Sequence, residues 1–406
     1  MRPKWTPRPH EWLSSHLGLF ATATSGSSAP CGIVLGRDLL GGEFSFDPFT
    51  AYSTGRVTNP NMVIFGQLGR GKSTLVKTLL LRAVAAGSQA VVLDPKGEYG
   101  SFAAAMKITP IALKPGGTII LNPLVGGPRA EGVRRDVALL KTLLEHGLGR
   151  MLQPAERFAL LAARQQLSNL DEPTLNDMVS ALFQPTDAAA RLIHTVVADL
   201  AANGRVLALE LLRLIDGEFA GMFNGTTTKG LTTTGQVVVL DLSSVWGSEA
   251  LPLVVACALS WLNASADHLR PRYLVFDEAW AVLRDPYVAR WLQGSWKLAR
   301  STATANVLVL HRISDVDSVA SHGEQSVALA AGLIADSGTS VCFQLDPTDA
   351  ADAAATLGLS ETATQLVGRL GQGVALWKVG GRQHLVAHEV RSDELAVIDS
   401  DQAMRQ

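Results

Sequence analysis

The chain has 406 residues, of which 47% are hydrophobic and 18% charged, so it is too apolar for an intrinsically disordered protein and long enough for two or three domain-sized units. Its 35 lysines and arginines nearly balance 37 aspartates and glutamates, which excludes the strongly basic composition of a dedicated nucleic-acid binder. The cysteines, Cys31, Cys257 and Cys342, lie far apart and form no zinc or disulfide pattern, so we expect reduced thiols in a cytosolic protein.

No segment is typical of a membrane span. The longest apolar stretch, residues 251–262, is shorter than the ~20 residues that a spanning helix needs, and it predicts a buried helix. Residues 1–10 are charged and rich in proline, unlike a secretory signal. We therefore expect a cytoplasmic protein that reaches the membrane only peripherally or through partners.

The first part of the chain, residues 1–60, is predicted to be a lead-in with a β-hairpin, because apolar and polar residues alternate between glycines at residues 42–47. A buried strand at residues 62–65, a glycine loop and a helix at residues 75–86 follow. The next strand, residues 89–93, ends at Asp94. Strand, loop and helix in this order predict an α/β unit.

The pattern becomes helical between residues 128 and 233. Val137, Leu140 and Leu144 recur at helical spacing, and Thr174 with Asp177 forms a capping box. Further helices are predicted at residues 191–202 and 206–215. We predict an all-α insert at residues 128–233.

Strand signals then resume at residues 237–242, 273–276, 307–310 and 341–345, with helical stretches between them. A hairpin is predicted at residues 374–388 around Gly380-Gly381. Residues 61–127 and 234–406 therefore form one α/β domain, a parallel sheet flanked by helices, interrupted by the helical lobe.

The glycine loop matches the pattern G-x-x-x-x-G-K-[ST] at every defined position, with Thr74 directly after it. Its residues are Gly66-Gln67-Leu68-Gly69-Arg70-Gly71-Lys72-Ser73. In such a loop the backbone N–H groups surround phosphates, the lysine reaches the β- and γ-phosphates, and the serine hydroxyl binds magnesium. The alternative, a chance glycine-rich turn, does not explain the strand before the loop and the helix after it.

Two acids follow the strand at residues 273–276. Asp277 is expected to hold magnesium, and Glu278 to polarise the water that attacks the γ-phosphate. The alternative is an ordinary strand-to-helix turn with Asp277 as an N-cap. Asp94 ends another predicted strand and is a further candidate magnesium ligand, although its Asp-Pro turn can equally be structural.

These motifs resemble the superfamily of FtsK, HerA and the conjugative type IV secretion ATPases, and most of all the VirB4/TraC type. The resemblance spans roughly residues 40–390. It rests on short segments that match family motifs. They are residues 44–47 and 59–62 before the glycine loop, residues 94–99 (D-P-x-G-E-Y), residues 121–124 (an N-P motif), residues 277–280 (D-E-A-W) and Asp315. It implies a RecA-like ATPase that uses ATP and Mg²⁺ and assembles into a homo-oligomeric, usually hexameric, ring.

The resemblance also suggests further site residues. Arg300 matches the family's arginine that reaches into the neighbouring subunit's site. Without the resemblance, it would be interpreted as a polar residue at a helix end. His311 stands where the family carries Thr-Gln; it can bind a phosphate or the attacking water, or be structural. Arg312 is a second arginine-finger candidate. Gln372, between two glycines, resembles a turn near the nucleotide, with a plain tight turn as the alternative.

Three functions remain open at this point. The first is the motor of a type IV secretion or conjugation system, docked on membrane-embedded channel proteins and moving DNA or a protein–DNA substrate. The second is a double-stranded DNA translocase or coupling protein. The third is a nucleotide-gated scaffold without hydrolysis, against which the complete set of motif residues argues. The large N-terminal domain usual in this family is not recognisable, and we expect that another polypeptide supplies it or that the lineage lacks it.

Overall fold

The computed structural model describes residues 32–124, 130–217, 219–231, 235–264, 270–297, 299–311 and 324–398. The strands are β1 Ile33–Asp38, β2 Gly42–Phe46, β3 Met62–Phe65, β4 Gln89–Asp94, β5 Ile111–Ala112, β6 Val237–Asp241, β7 Arg272–Phe276, β8 Thr304–Leu310, β9 Thr339–Cys342, β10 Val374–Val379 and β11 Arg382–His388. The helices are α1 Pro48–Ser53, α2 Lys72–Ala85, α3 Gly100–Ala105, α4 Ala130–Leu148, α5 Pro154–Gln166, α6 Leu175–Phe183, α7 Asp187–Leu192, α8 Val197–Asp216, α9 Leu251–Ala264, α10 Trp280–Leu283, α11 Pro286–Lys297, α12 Glu324–Ala335, α13 Pro347–Leu357, α14 Glu361–Val367 and α15 Leu395–Ile398.

All of these strands belong to one 11-stranded sheet in the order β2-β1-β11-β10-β9-β3-β8-β7-β4-β6-β5. The strands from β9 to β5 in this order pair in parallel. The strands β10, β11, β1 and β2 extend the sheet in antiparallel fashion from β9. Both predicted hairpins are confirmed, and the first one adds its strands to the edge of the central sheet.

The parallel strands are buried on both faces, because helices cover each side of the sheet. In β3, Val63 and Phe65 join one apolar cluster, which also contains much of the helical lobe. Met62 and Ile64 point the other way, into a cluster shared with α2 and α3. The period of two in side-chain direction therefore divides the core into two layers.

The helical lobe consists of α4 to α8, with no strand among the described residues from 130 to 217. Arg164 of α5 donates from Nε to Asp136 of α4 at 2.7 Å, and neither side chain is exposed. The capping box at Thr174 is confirmed. His146 Nδ1 lies 2.5 Å from Asp285 Oδ2, which connects the lobe to the turn before α11.

Some boundaries differ from the sequence prediction. The predicted break between residues 202 and 206 was wrong, because α8 continues through Gly204. A Cβ at Gly204 would lie 2.7 Å from the carbonyl oxygen of Leu182, so this glycine allows α6 and α8 to approach closely. The break lies earlier instead, at residues 193–196 between α7 and α8.

Further differences concern shorter elements. The helix after the glycine loop begins at Lys72 rather than at residue 75, and the short strand β5 was not predicted. The helix α9 is buried along most of its length, as predicted for residues 251–262. Within the described ranges, no helix combines the length and apolarity needed to cross a membrane. The fold class is confirmed: α/β, a RecA-like, predominantly parallel sheet flanked by helices, with an inserted all-helical lobe.

Candidate nucleotide-binding site

Four neighbouring strands deliver the candidate residues to one edge of the sheet. In the order β3, β8, β7, β4, their carboxyl ends lead into the glycine loop, His311, the Asp277-Glu278 pair and the turn after Asp94. Ligands of parallel α/β sheets collect at this edge. The sheet order thus brings together segments that are more than 200 residues apart in the chain.

Glycines determine the shape of the loop between β3 and α2. Gly66, Gly69 and Gly71 have φ values of 152°, 72° and 112°, which residues other than glycine rarely adopt. A Cβ at Gly66 would lie 2.5 Å from Cβ of Phe343, and one at Gly71 would lie 3.3 Å from the Phe343 ring. The loop therefore curls tightly over Phe343 and leads into the N-terminus of α2.

Lys72, the first residue of α2, is buried in this loop. Its Nζ donates to the carbonyl oxygens of Gly66 at 2.5 Å and Gln67 at 3.0 Å. It also lies 3.0 Å from Nδ1 of His311. Leu68 at the tip is 75% exposed, and Arg70, Ser73 and Thr74 are half-buried.

His311 connects the lysine of the glycine loop to the second acid of the pair. Its Nε2 lies 2.7 Å from Oε1 of Glu278, while Nδ1 faces Lys72. Because an ammonium group only donates hydrogen bonds, Nδ1 must accept, and the neutral ring then carries its proton on Nε2. The donor pattern therefore runs from Lys72 through His311 to Glu278.

Glu278 is held by three side-chain donors. Oε1 accepts hydrogen bonds from Lys96 Nζ at 2.5 Å and from His311. Oε2 accepts a hydrogen bond from Trp280 Nε1 at 2.6 Å. Burial acts to raise the pKa of Glu278, but the hydrogen bonds from His311 and Lys96 outweigh it and lower the pKa to about 2. Glu278 also has a φ of 50°, unusual for a residue with a side chain, as is often found at functional sites.

Asp277 is in the opposite electrostatic situation. Burial and then the charge of Glu278 raise its pKa to about 6, and the Glu278 amide donates to its Oδ1 at 3.0 Å. The buried Tyr99 hydroxyl, whose pKa burial and the charge of Asp277 raise, makes no well-formed hydrogen bond to the described residues. The Ser73 hydroxyl likewise has no hydrogen bond within the described ranges. These oxygens remain available to a ligand.

Asp94 stabilises its own turn. Oδ1 accepts the amides of Gly97 at 2.8 Å and Glu98 at 3.1 Å, and Oδ2 accepts the amide of Tyr99 at 2.9 Å. Burial raises the pKa of Asp94 in spite of these bonds. The geometry gives Asp94 a structural task, and its role as a magnesium ligand stays a prediction.

The turn at Gln372 contacts the glycine loop. Gln372 Nε2 donates to the carbonyl oxygen of Gly69 at 3.1 Å, and the amide of Gly373 donates to that of Arg70 at 3.0 Å. The turn thus supports the outer side of the loop. A direct contact between Gln372 and a nucleotide stays a prediction.

Arg300 lies apart from these residues. It is exposed and precedes β8, at the amino edge of the parallel strands, where it lines a cavity of about 310 Å³ together with Lys297 and Asp336. It cannot serve the site of its own chain from there, and a role in a neighbouring subunit stays a prediction. Arg312 and Asp315 lie outside the described residues.

Sequence reasoning missed two residues that contact Glu278. Lys96 occupies only the variable position of D-P-x-G-E-Y, and Trp280 is the last residue of D-E-A-W. Trp261 and Trp296 are buried in the core, whereas Trp280 is partly buried and hydrogen-bonded to Glu278. The acid-proximal tryptophan of D-E-A-W was the signal that could have identified Trp280.

Comparison with known proteins gives the same picture. Residues 51–245 match the family described as AAA-like domain. TraC of Escherichia coli strain K12 is 24% identical over 277 residues, which cover 64% of this chain and 30% of TraC. An uncharacterised Bacillus anthracis protein is 52% identical over 50 residues, or 8% of its own length, so the chain spans under a third of the curated relatives it matches.

Two solved structures show the same fold. VirB4 of Thermoanaerobacter pseudethanolicus superimposes with a TM-score of 0.71 at 21% identity, covering 91% of this chain and 100% of that one. The plasmid coupling protein TrwB in complex with ADP and Mg²⁺ gives a TM-score of 0.55 at 16% identity, covering 82% and 86% of the two chains. The resemblance indicated by the motifs is confirmed: residues 51–245 match the AAA-like domain family, part of the chain is similar to TraC, and the fold is shared with VirB4 and TrwB.

Proposed function

We propose that this chain binds Mg-ATP in the glycine loop and hydrolyses it with Glu278 as the residue that activates water. The observation that carries the proposal is the continuous chain of contacts from Lys72 through His311 to Glu278. The imidazole of His311 lies between Lys72, which we propose to bind phosphate, and the ionised carboxylate of Glu278. Such an arrangement suits phosphoryl transfer to water, where positioning and electrostatics provide most of the catalysis.

Each residue has a defined task in this proposal. The loop amides and Lys72 hold the phosphates, and Lys72 exchanges the Gly66 and Gln67 carbonyls for phosphate oxygens. Glu278, ionised at neutral pH, orients a water and accepts its proton. His311 contacts both Lys72 and Glu278 and fixes their relative position.

Ser73 and Asp277 are the protein groups that would hold magnesium. Among the described residues, no group of three histidines, cysteines, aspartates or glutamates could form a metal site on its own. This suits magnesium, which keeps several waters and binds one or two protein groups plus substrate phosphates. The Tyr99 hydroxyl beside Asp277, which has no hydrogen-bond partner in the described part of the chain, can bind such a water. The residues present therefore fit the ion, whose charge would offset that of the phosphates.

At the level of the cell, we propose the ATP-hydrolysing motor of a type IV secretion or conjugation system, which energises substrate transfer or channel assembly. The fold shared with VirB4 and the identity with TraC support it. The working form in this proposal is a homo-oligomer, a hexameric ring at the cytoplasmic side of the membrane, bound to membrane-embedded channel proteins. Arg300 then completes the site of the adjacent subunit.

Replacing Glu278 by glutamine tests the catalytic assignment. Glu278→Gln should retain Mg-ATP binding, measured by calorimetry, and should lose at least ~100-fold in steady-state turnover, because the amide cannot accept a proton. Glu43→Gln, which alters an exposed acid of the edge strand β2, is the matched control. Near-normal turnover of Glu278→Gln would refute the assignment.

A double-stranded DNA translocase or coupling protein is the second candidate, favoured by the fold shared with the coupling protein TrwB. ATP turnover measured with and without double-stranded DNA distinguishes the translocase from the secretion motor. Strong stimulation that falls steeply with salt would favour the translocase. Binding of nucleotide without any turnover would instead favour a nucleotide-gated scaffold.

A further inference from the structure

We propose that Lys96 is a positioning residue that restrains Glu278 in the resting protein and keeps basal ATP turnover low. The inference rests on the proposed function and adds a regulatory contact to the same site. Lys96 has no assigned function in any of the motifs described above.

The contact between the two residues is short and partly sheltered. Lys96 Nζ lies 2.5 Å from Oε1 of Glu278, and the side chains are 31% and 7% exposed. The ammonium also lies 5.5 Å from the centre of the Trp246 ring. An ion pair with one buried partner and an aromatic face beside it is screened less than a surface pair.

The backbone that carries Lys96 is fixed. Asp94 binds the amides of Gly97, Glu98 and Tyr99, and Lys77 of α2 donates to the carbonyl oxygen of Glu98 at 2.8 Å. The turn therefore presents the Lys96 side chain to Glu278 from a fixed backbone, while this side chain, which is 31% exposed, can rotate away.

The other oxygen of Glu278 is restrained as well. Trp280 donates to Oε2, and the Trp246 and Trp280 rings pack edge to face with their centres 5.8 Å apart. Glu278, Lys96 and the two tryptophans form a closed group, which we call the Glu278 clamp. Within it, both carboxylate oxygens already accept hydrogen bonds.

The clamp has a chemical consequence for the base. A carboxylate that already accepts hydrogen bonds from three side chains has fewer lone pairs free to orient a water. His311 and Trp280 orient the side chain of Glu278 from two other directions. Lys96 is the most exposed of the three donors, so its departure would free one lone pair of Oε1 for a water, while His311 and Trp280 keep the orientation of Glu278.

Turnover of Lys96 variants tests the claim. Lys96→Met should raise basal steady-state turnover about five- to tenfold with little change in KM for ATP, because only the base gains reactivity. Lys96→Arg, which preserves the positive charge, should remain near the wild-type rate. Lys107→Met is the matched control, since Lys107 is exposed at the turn before β5, at the opposite edge of the sheet. Unchanged or lower turnover of Lys96→Met would overturn the proposal.

Unfolding in urea without nucleotide provides a second readout that does not depend on activity. Lys96→Met should lower the midpoint in the wild-type background, because Glu278 then stays buried without its cation. In the Glu278→Gln background the same change should shift the midpoint much less. Equal shifts in both backgrounds would show that the pair does not form and would overturn the proposal.

The two readouts separate the inference from the function on which it rests. A wild-type protein that binds but does not hydrolyse ATP contradicts the proposed function, while the unfolding experiment still tests the Lys96–Glu278 contact. A wild-type protein that hydrolyses ATP and is unaffected by Lys96→Met contradicts the inference alone.

Discussion

At the scale of single residues, the site separates two adjacent carboxyl groups by their surroundings. Asp277 and Glu278 follow the same strand, yet burial next to another acid raises the pKa of Asp277 to about 6, whereas hydrogen bonds from His311 and Lys96 overcome burial and lower that of Glu278 to about 2. Opposite shifts in neighbouring groups are typical of functional sites. Asp277 gains most from a cation, and Glu278 stays ionised under all physiological conditions.

The raised pKa of Asp277 predicts a pH dependence of magnesium binding. The proton stabilises the folded apo protein at low pH, and this contribution is lost as the pH rises through about 6, where the ionised carboxylate becomes available. The Mg²⁺ affinity of the protein–nucleotide complex should therefore fall as the pH drops below 6, about tenfold per pH unit.

Magnesium titrations at fixed nucleotide concentration between pH 5 and 8 measure this effect. Asp277→Asn should bind magnesium weakly at every pH and show no such slope once the titration of the nucleotide itself is subtracted. A wild-type affinity that stays flat between pH 5 and 7 would contradict the assignment of Asp277.

At the scale of elements, the glycine loop is shaped by what lies beneath it. Gly66 packs against Phe343, which follows β9, whereas a Cβ at Gly69, whose φ is 72°, would meet no other atom within 4 Å. The turn at Gln372 supports the loop from the other side. The loop therefore depends on strands that lie far away in the sequence.

Two alanine substitutions separate contact from backbone strain. Gly69→Ala should cost about 1–2 kcal/mol of unfolding free energy, since only the left-handed backbone is penalised. Gly66→Ala should cost more, roughly 2–4 kcal/mol, because its Cβ also collides with Phe343 and the loop must move. Urea unfolding gives both values, and calorimetry should show that nucleotide affinity drops far more for Gly66→Ala. Equal effects of the two changes would argue against the contact with Phe343.

At the scale of the whole molecule, candidate site residues lie at both edges of the parallel strands. The carboxyl edge carries Lys72, His311 and Glu278, and the amino edge carries Arg300, exposed before β8. A strand of seven residues such as β8 separates these edges by roughly 20 Å. In the proposed ring, Arg300 would therefore act on the site of another subunit, because this distance separates it from the site of its own chain.

Mixing two inactive variants tests the ring. Arg300→Ala and Lys72→Ala should each lose nearly all turnover as pure proteins. An equal mixture should recover about a quarter of the wild-type rate, because a quarter of randomly formed interfaces combine an intact Lys72 with an intact Arg300. Co-assembly is checked by light scattering with ATP present. A co-assembled mixture without recovered turnover would remove the support for a role in trans.

The sequence by itself determined the fold class and the two phosphate-chemistry motifs. Their signals are local: a glycine loop between a buried strand and a helix, and two acids at the end of another buried strand. The hairpins and the capping box at Thr174 were equally local and were confirmed. Boundaries within the helical lobe were less accurate, because the close approach of α6 at Gly204, rather than helix propensity, decides that α8 continues there.

Only the tertiary structure decided which side chains meet. The strand order β3-β8-β7-β4 puts His311 between Lys72 and Glu278 and brings Lys96 to the same carboxylate, although 182 residues separate Lys96 from Glu278. It also turned Asp94 toward its own backbone and left Arg300 at the far edge. Local patterns fix which chemistry a segment can perform, whereas strand order and packing fix its partners, and those partners set the pKa of each acid.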